Sequence, residues 1–361
     1  VLLAVELLLF EFSPRSIIPV TIGCITGAAM HLLLFGSHPV FEMPVIPVPS
    51  YPSLLIYVLF GIIIGVFASF VSKSVYAIED LFEKLPIHWM WWPAIGAIAI
   101  GVTGYFAPLT MGVGYENIRY LLNGSWTLTL LFSLGVLKFI SWSISLGSGT
   151  SGGTLAPLFT IGGAIGALLA IVSLHYFPSL PINLPTVALI GMAAMFAGAS
   201  RALLTSIVFA LEITGQSNAL LPLLGGCIAA YFVSFFLMKG SIMTEKILRR
   251  GVKAPDSFEP DVLKNIYVSK LVIPVINPQN DLPFIYSNED AGWAAEIMGK
   301  QGVTSLLVKD KKQHGKVIGI ITAADILEYY SKEKMKEHEF ESPGRTKRIL
   351  VHGRKLWQKI G

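Results

Sequence analysis

The stretch GSGTSGGTLAP, Gly147 to Pro157, offers three kinds of chemistry at once. Gly147 to Gly152 fits the G-x-G-x-x-G spacing with which a strand-to-helix turn holds a dinucleotide pyrophosphate. Gly149 to Gly152 fits G-x-S-G, the setting of the nucleophile in an intramembrane serine protease, with Ser151 as that nucleophile. The run is also backbone suited to a small anion. Glycines free φ and ψ so that successive N–H groups can converge, and Pro157, just inside a helix start, has no N–H to leave unused. Such a helix N-terminus is positive and rich in unpaired donors, so it attracts an anion without a full Lys or Arg charge. That suits transport, because a bound ion must also leave and a full ion pair at low dielectric would trap it.

The surroundings discriminate among these options. The dinucleotide fingerprint needs a strand before it and an acid about 20 residues after it. Here LLFSLGVLKFISWSISL precedes it, too long and apolar for one strand, and no Asp or Glu lies between Glu116 and Glu212. A protease needs a His general base beside Ser151. His31 and His175 are the candidates, and His175, in SLHYFPS, reads as a helix end. The anion reading fits the spacing best, with a Gly-rich helix-packing loop as the plain alternative.

The elements that position this stretch are those of a membrane protein. The chain has 361 residues, is 53% hydrophobic and 14% charged, and has a mean hydropathy of +0.64, against about 25% charged residues in soluble domains. Residues 1–240 hold 7 of the 27 Lys/Arg and 8 of the 23 Asp/Glu, so a nearly uncharged block precedes an ordinary soluble one. The net charge of +4 therefore gives no reason to expect a nucleic-acid partner. LRRGVK, Leu248 to Lys253, follows the last apolar run, and positive charge there favours the cytoplasmic side. A multi-pass protein of the cell membrane, with its C-terminal domain in the cytoplasm, is expected. Cys24 and Cys227 lie in apolar runs as small core residues, and no disulfide or metal spacing exists. VLLAVELLLFEF opens the chain without a charged leader or cleavage site, and further sequence upstream of Val1 is expected.

A spanning helix takes about 20 apolar residues. The candidates are Ile17–Phe35, Leu54–Tyr76, Pro93–Ala107, Leu128–Leu146, Leu155–Leu174, Val187–Ala197, Ala202–Ile213 and Leu220–Met238. Several are too short to span, and Pro157, Pro185, Pro222 and the glycines of IGGAIGALL break them. Broken helices survive in a membrane only when buried in protein or lining a watery cavity, and their N-termini then face a ligand. LLAVELLL at Leu2–Leu9 echoes VFALEITG at Val208–Gly215, each with one Glu in an apolar helix, as internal repeats of transporters do. From Val262, short β-type runs alternate with amphipathic helices. The expected division is a transmembrane domain at 1–251, a linker at 252–261, a small α/β module at 262–334 and a basic tail, solvated or helical, at 335–361.

Several motifs, in order, resemble the CLC family of chloride channels and chloride/proton exchangers. SGGTLAPLFTIGGAIG is similar to its G-x-F-x-P stretch, and GASRALLTSIVFALEITGQSNALLPLLGG to the helix pair that follows, with its R-x-P-L-T…LE-T pattern. VLLAVELLLFEF resembles the helix that ends the first half, and SIMTEKILRRG the last membrane helix. GKVIGIITAADIL resembles the close of a CBS module, a common C-terminal domain in that family. The resemblance implies a polytopic α-helical fold with short broken helices and inverted repeats, followed by a cytoplasmic CBS-like domain. It implies a homodimer in the lipid bilayer, one chloride pore per subunit, and no enzymatic activity.

Carried over residue by residue, the main-chain N–H groups of Thr154 and Leu155 bind chloride, Gly153 allows its approach and Pro157 marks the helix N-terminus. Leu155 departs from the usual Phe, and Met243 stands where the family places a pore-lining Tyr. The inner proton station of exchangers falls at Leu7, next to Glu6. The first-half motifs, with the chloride-binding serine and the gating glutamate, have no match. Glu6 and Glu212 then read as structural, capping backbone or pairing with a neighbour such as Arg201. Thr322 and Asp325, in TAAD, match the position that can hold the ribose of an adenine nucleotide such as ATP, with a ligand-free regulatory domain as the alternative. No cofactor is required. The reading is chloride transport, with a proton-coupled antiporter as the runner-up and the protease as the remote rival.

Overall fold

In a computed structural model the chain is described over residues 1–9, 14–124, 126–245, 249, 263, 266–275, 282–311 and 316–341. It divides into two units, Val1–Ser257 and Phe258–Gly361. The described residues of the first unit are helical: α1 (Pro14–Phe35), α2 (Tyr51–Glu83), α3 (Trp92–Phe106), α4 (Tyr115–Leu122), α5 (Leu128–Phe132), α6 (Lys138–Gly147), α7 (Leu155–Tyr176), α8 (Leu184–Ser200), α9 (Leu203–Thr214) and α10 (Leu220–Leu237). A π-helical turn spans Ala4–Leu9, and another, Ser133–Leu137, joins α5 to α6.

The helix limits follow local chemistry. Ser50 and Asn183 cap α2 and α8, each accepting from the N–H three residues on, at 3.4 Å and 3.1 Å, with a proline inside the first turn where its missing N–H costs nothing. Gly215 closes α9 in the left-handed region (φ 65°). Arg201 closes α8 with φ 61°, and among the described residues it alone is a non-glycine with positive φ. That conformation is held because its guanidinium donates to the carbonyls of Met238 (2.5 Å) and Lys239 (3.1 Å), which fastens the end of α10 to the end of α8.

Every residue of α8 from Thr186 to Ser200 is buried, so it is the centre of the unit although only 17 residues long. Small residues permit this. A Cβ on Gly162 of α7 would lie 2.4 Å from the carbonyl oxygen of Gly191 on α8, and one on Gly61 of α2 would lie 2.3 Å from that of Gly226 on α10. Backbones thus touch directly, which is how helices gain packing where lipid supplies no hydrophobic drive. Five described segments are long and apolar enough to cross a membrane: Pro14–Phe35, Tyr51–Glu83, Leu128–Gly147, Leu155–Tyr176 and Ser217–Leu237.

The apolar segments read from the sequence all lie in helices, with two differences. The candidate Leu54–Tyr76 extends to Glu83, since the charged residues after Tyr76 continue an amphipathic turn. Leu128–Leu146 is broken by the π-turn instead of running as one α-helix. The echo of LLAVELLL in VFALEITG is not one of conformation: the first is π-helical with Glu6 buried, the second α-helical with Glu212 exposed.

In the second unit, β1 (Phe284–Tyr286) pairs parallel with β2 (Ser305–Asp310), which pairs antiparallel with β3 (Lys316–Thr322). Helix α11 (Ala291–Gln301) starts at the Asp290 cap, which accepts from Trp293 N–H at 2.8 Å, and ends at Gly302 with φ 66°. Val268, Ile285, Met298, Leu306, Val308 and Ile321 form its core. Helix α12 (Ala323–Glu341) continues past the boundary expected at 334, because EYYSKEKMKEHEFE holds no helix breaker. The expected linker at 252–261 and the tail beyond 341 lie outside the described residues.

Candidate anion site

Residues 148–154 join two apolar spans, and the glycine run becomes a sharp reversal. Ser148 is buried and its Oγ donates to the Ser145 carbonyl (2.7 Å), closing α6; Gly149 follows at φ 81°, which its missing Cβ permits. Thr150 to Gly153 are exposed. Helix α7 then begins at Leu155 with Thr154 as N-cap residue, and no side chain caps it. Thr154 uses its carbonyl to accept from Leu158 N–H (3.1 Å). Pro157 lies in the first turn and offers no donor. Among the described residues, no acceptor is hydrogen-bonded to the N–H of Thr154, Leu155 or Ala156. The start of α7 is therefore a cluster of free donors at the positive end of a 22-residue helix.

Two other elements converge there. The indole Nε1 of Trp142, on α6, donates to the Gly153 carbonyl at 3.2 Å. In a trans peptide C=O and N–H lie in one plane and point in opposite directions, so anchoring the Gly153 carbonyl aims the Thr154 N–H away from Trp142. Opposite, Thr154 Oγ1 donates to Met243 Sδ at 3.9 Å. The turn that carries Met243 is fixed by Ser241 Oγ, which accepts from the N–H groups of Met243 and Thr244 at 3.2 Å each. Tyr76 of α2 donates to the Ile242 carbonyl (2.5 Å), and Ile242 N–H donates to the Ala199 carbonyl (2.8 Å). Gly153, Thr154, Leu155, Pro157 and Met243, nominated from separate parts of the sequence, thus sit around one helix start. Trp142 was not nominated, because its role depends on where α6 turns back against the loop.

The remaining nominated residues lie elsewhere. Glu6 is buried and its Oε2 accepts from Thr205 N–H (2.9 Å) and Thr205 Oγ1 (2.5 Å), so it caps the first turn of α9. Leu7 packs into the apolar core. His175 closes the far end of α7 against the Tyr176 ring, about 30 Å along the helix from Ser151 at 1.5 Å per residue, and His31 stacks on Phe35 near the end of α1. Among the described residues, neither histidine is hydrogen-bonded to Ser151. In the second unit Asp325 accepts from Thr322 N–H (3.0 Å) and Oγ1 (2.6 Å), while its own N–H donates to Thr322 Oγ1 (3.2 Å); the pair forms a capping box at the start of α12.

Comparison with known proteins agrees with this architecture. A family model described as voltage gated chloride channel matches residues 1–235, and a CBS domain model matches residues 272–332. The H(+)/Cl(-) exchange transporters ClcA of Yersinia pestis bv. Antiqua (strain Angola) and Yersinia pseudotuberculosis serotype O:3 (strain YPIII) are each 30% identical over 260 residues, covering 70% of this chain and 54% of the relative. The chain thus spans about half the length of the curated relatives it matches. The crystal structure of a slow cyanobacterial Cl-/H+ antiporter superposes with a TM-score of 0.59 at 24% identity, over 69% of this chain and 59% of that one. A CLC-type fluoride/proton antiporter gives 0.54 at 22% identity, over 64% and 56%. At these identities the structures establish the fold.

Proposed function

We propose that this chain, which belongs to the voltage-gated chloride channel family, moves chloride and similar small anions across the membrane past the start of α7. The observation that carries the reading is the convergence of the uncapped α7 N-terminus with Met243, at 3.9 Å from Thr154, between apolar spans. The N–H groups of Thr154 and Leu155 replace part of the hydration shell of the ion, Gly153 keeps the approach clear of a side chain, and Leu155 and Met243 exclude water. Among the described residues no Lys or Arg is hydrogen-bonded to Gly153, Thr154 or Met243, so the ion binds through dipoles and can be released.

Proton-coupled exchange is the second reading, favoured by the likeness to the H(+)/Cl(-) exchange transporters of Yersinia. Two features of this chain weigh against it. Leu7 is a hydrocarbon in the core, and Glu6 is committed to the backbone of α9. In the assembled protein, dimerisation in the cell membrane is supported by the exposed apolar surface of α1, none of whose residues is buried. A cytoplasmic position for the α/β unit is supported by the positive charge after α10. A nucleotide at Thr322 and Asp325 has less support, since the capping box already engages one carboxylate oxygen of Asp325.

The test is chloride binding by calorimetry and chloride flux from liposomes. Thr154→Pro removes one donor and is expected to abolish both, whereas Thr154→Ala keeps the N–H and should leave flux near that of the parent protein. Retained binding in Thr154→Pro would refute the assignment.

A further inference from the structure

A cavity of about 380 Å³ opens between α2 and the chain that leaves α10. Its apolar lining includes Ala77, Leu237 and Ile242. Its rim carries three cations, Lys73, Lys239 and Arg249, and two carboxylates, Asp80 and Glu245. Arg249 engages both acids: it is hydrogen-bonded to Asp80 and lies 3.4 Å from Glu245, with its guanidinium 5.0 Å from the centre of the Tyr76 ring. Arg249 thus bridges the two acids, and three cations against two carboxylates leave the cavity a net charge of +1. Among the described residues, neither Lys73 nor Lys239 has an acidic partner. The backbone of Lys239 is held in place by Arg201 through its carbonyl at 3.1 Å.

A net positive lining that mixes apolar residues with two lysines lacking an acidic partner among the described residues, at the end of α10, suits an amphiphile with a phosphate head. A lysine near an anionic membrane surface contributes about 1 kcal/mol of attraction, and Lys73 and Lys239 line the same cavity. We propose that this cavity binds a phosphate group, supplied by the headgroup of an anionic phospholipid. The apolar residues of the lining favour the lipid over free phosphate, since they would otherwise face water. The cavity also shares a wall with the anion site. Tyr76 donates to the Ile242 carbonyl, and Met243 is the next residue. Occupancy would therefore stiffen the turn that presents Met243, a consequence that rests on the transport reading above.

The experiment measures binding to the full-length, delipidated protein in detergent by microscale thermophoresis. The probes are dioctanoyl-phosphatidylglycerol, dioctanoyl-phosphatidylcholine and inorganic phosphate, each against the parent protein and the double variant K73Q/K239Q. Both lysines are exposed, so the variant is expected to keep the parent melting temperature. Saturable binding of phosphatidylglycerol is expected, weaker by roughly tenfold to thirtyfold in the variant, from two lysines at about 1 kcal/mol each. Phosphatidylcholine should bind more weakly than phosphatidylglycerol. Equal competition by inorganic phosphate would keep the phosphate site and reassign its source to soluble phosphate. No saturable binding, or equal affinity in parent and variant, would overturn the proposal. Chloride calorimetry on K73Q/K239Q should match the parent protein, so a failure here is separable from a failure of the anion-site assignment.

Discussion

Chloride held by backbone donors feels each neighbouring side chain through the orientation of a single peptide. Trp142 fixes the Gly153 carbonyl at 3.2 Å, and with it the Thr154 N–H. Trp142→Phe keeps the ring packing and removes the indole donor, so it should weaken chloride binding severalfold, the net worth of one hydrogen bond at about 0.5–1.5 kcal/mol. Calorimetry of the variant, beside an unchanged melting temperature, would identify Trp142 as a positioning residue; unchanged affinity would deny that role. Met243 permits the opposite experiment. Its thioether is a weak acceptor and brings no donor to the ion. Met243→Tyr should add a hydroxyl donor and tighten binding by severalfold to about tenfold, and an unchanged or weaker affinity would show that residue 243 does not face the ion.

At the scale of elements, the close helix contacts explain why short apolar segments form a stable unit. Gly191→Ala would place a Cβ 2.4 Å from the Gly162 carbonyl oxygen, with both glycines buried where α7 meets α8. Overpacking of this kind costs about 1–3 kcal/mol, so the melting temperature should fall. Gly101→Ala on α3 meets nothing within 4 Å and should be neutral or slightly stabilising; equal behaviour of the two variants would refute the packing account. Much of this architecture could be read from the chain. Apolar runs, cap residues and first-turn prolines mark α2, α7 and α8, and the glycine run with Pro157 marks the start of α7. What could not be read depends on neighbours. YENIRYLL forms α4 although it is short and half polar, because Ile118, Leu121 and Leu122 find a buried face. The π-turns at Ala4–Leu9 and Ser133–Leu137 keep the apolar pattern of an α-helix. Glu6 and Glu212 sit in near-identical local sequence, yet only the former meets a helix start, that of α9.

For the whole molecule the open distinction is between passive chloride movement and exchange for protons. A proton crossing hydrocarbon needs titratable side chains or ordered water, because an isolated charge there is expensive. The position that the family resemblance assigns to the inner carboxylate of exchangers is Leu7, which cannot carry a proton. Glu6 lies next to it, but its carboxylate accepts two hydrogen bonds from Thr205, 2.9 Å and 2.5 Å long. Both bonds hold Oε2 at the start of α9, so Glu6 serves there as a cap. Weak or absent stoichiometric proton coupling is therefore expected. The measurement uses liposomes of the full-length protein, with chloride efflux and external pH recorded together. A chloride gradient that drives protons uphill at a fixed ratio would refute the expectation. Glu6→Gln then separates the remaining routes. If uphill pumping survives in that variant, water carries the proton. If pumping is lost while chloride flux remains, Glu6 is the inner station despite its capping role.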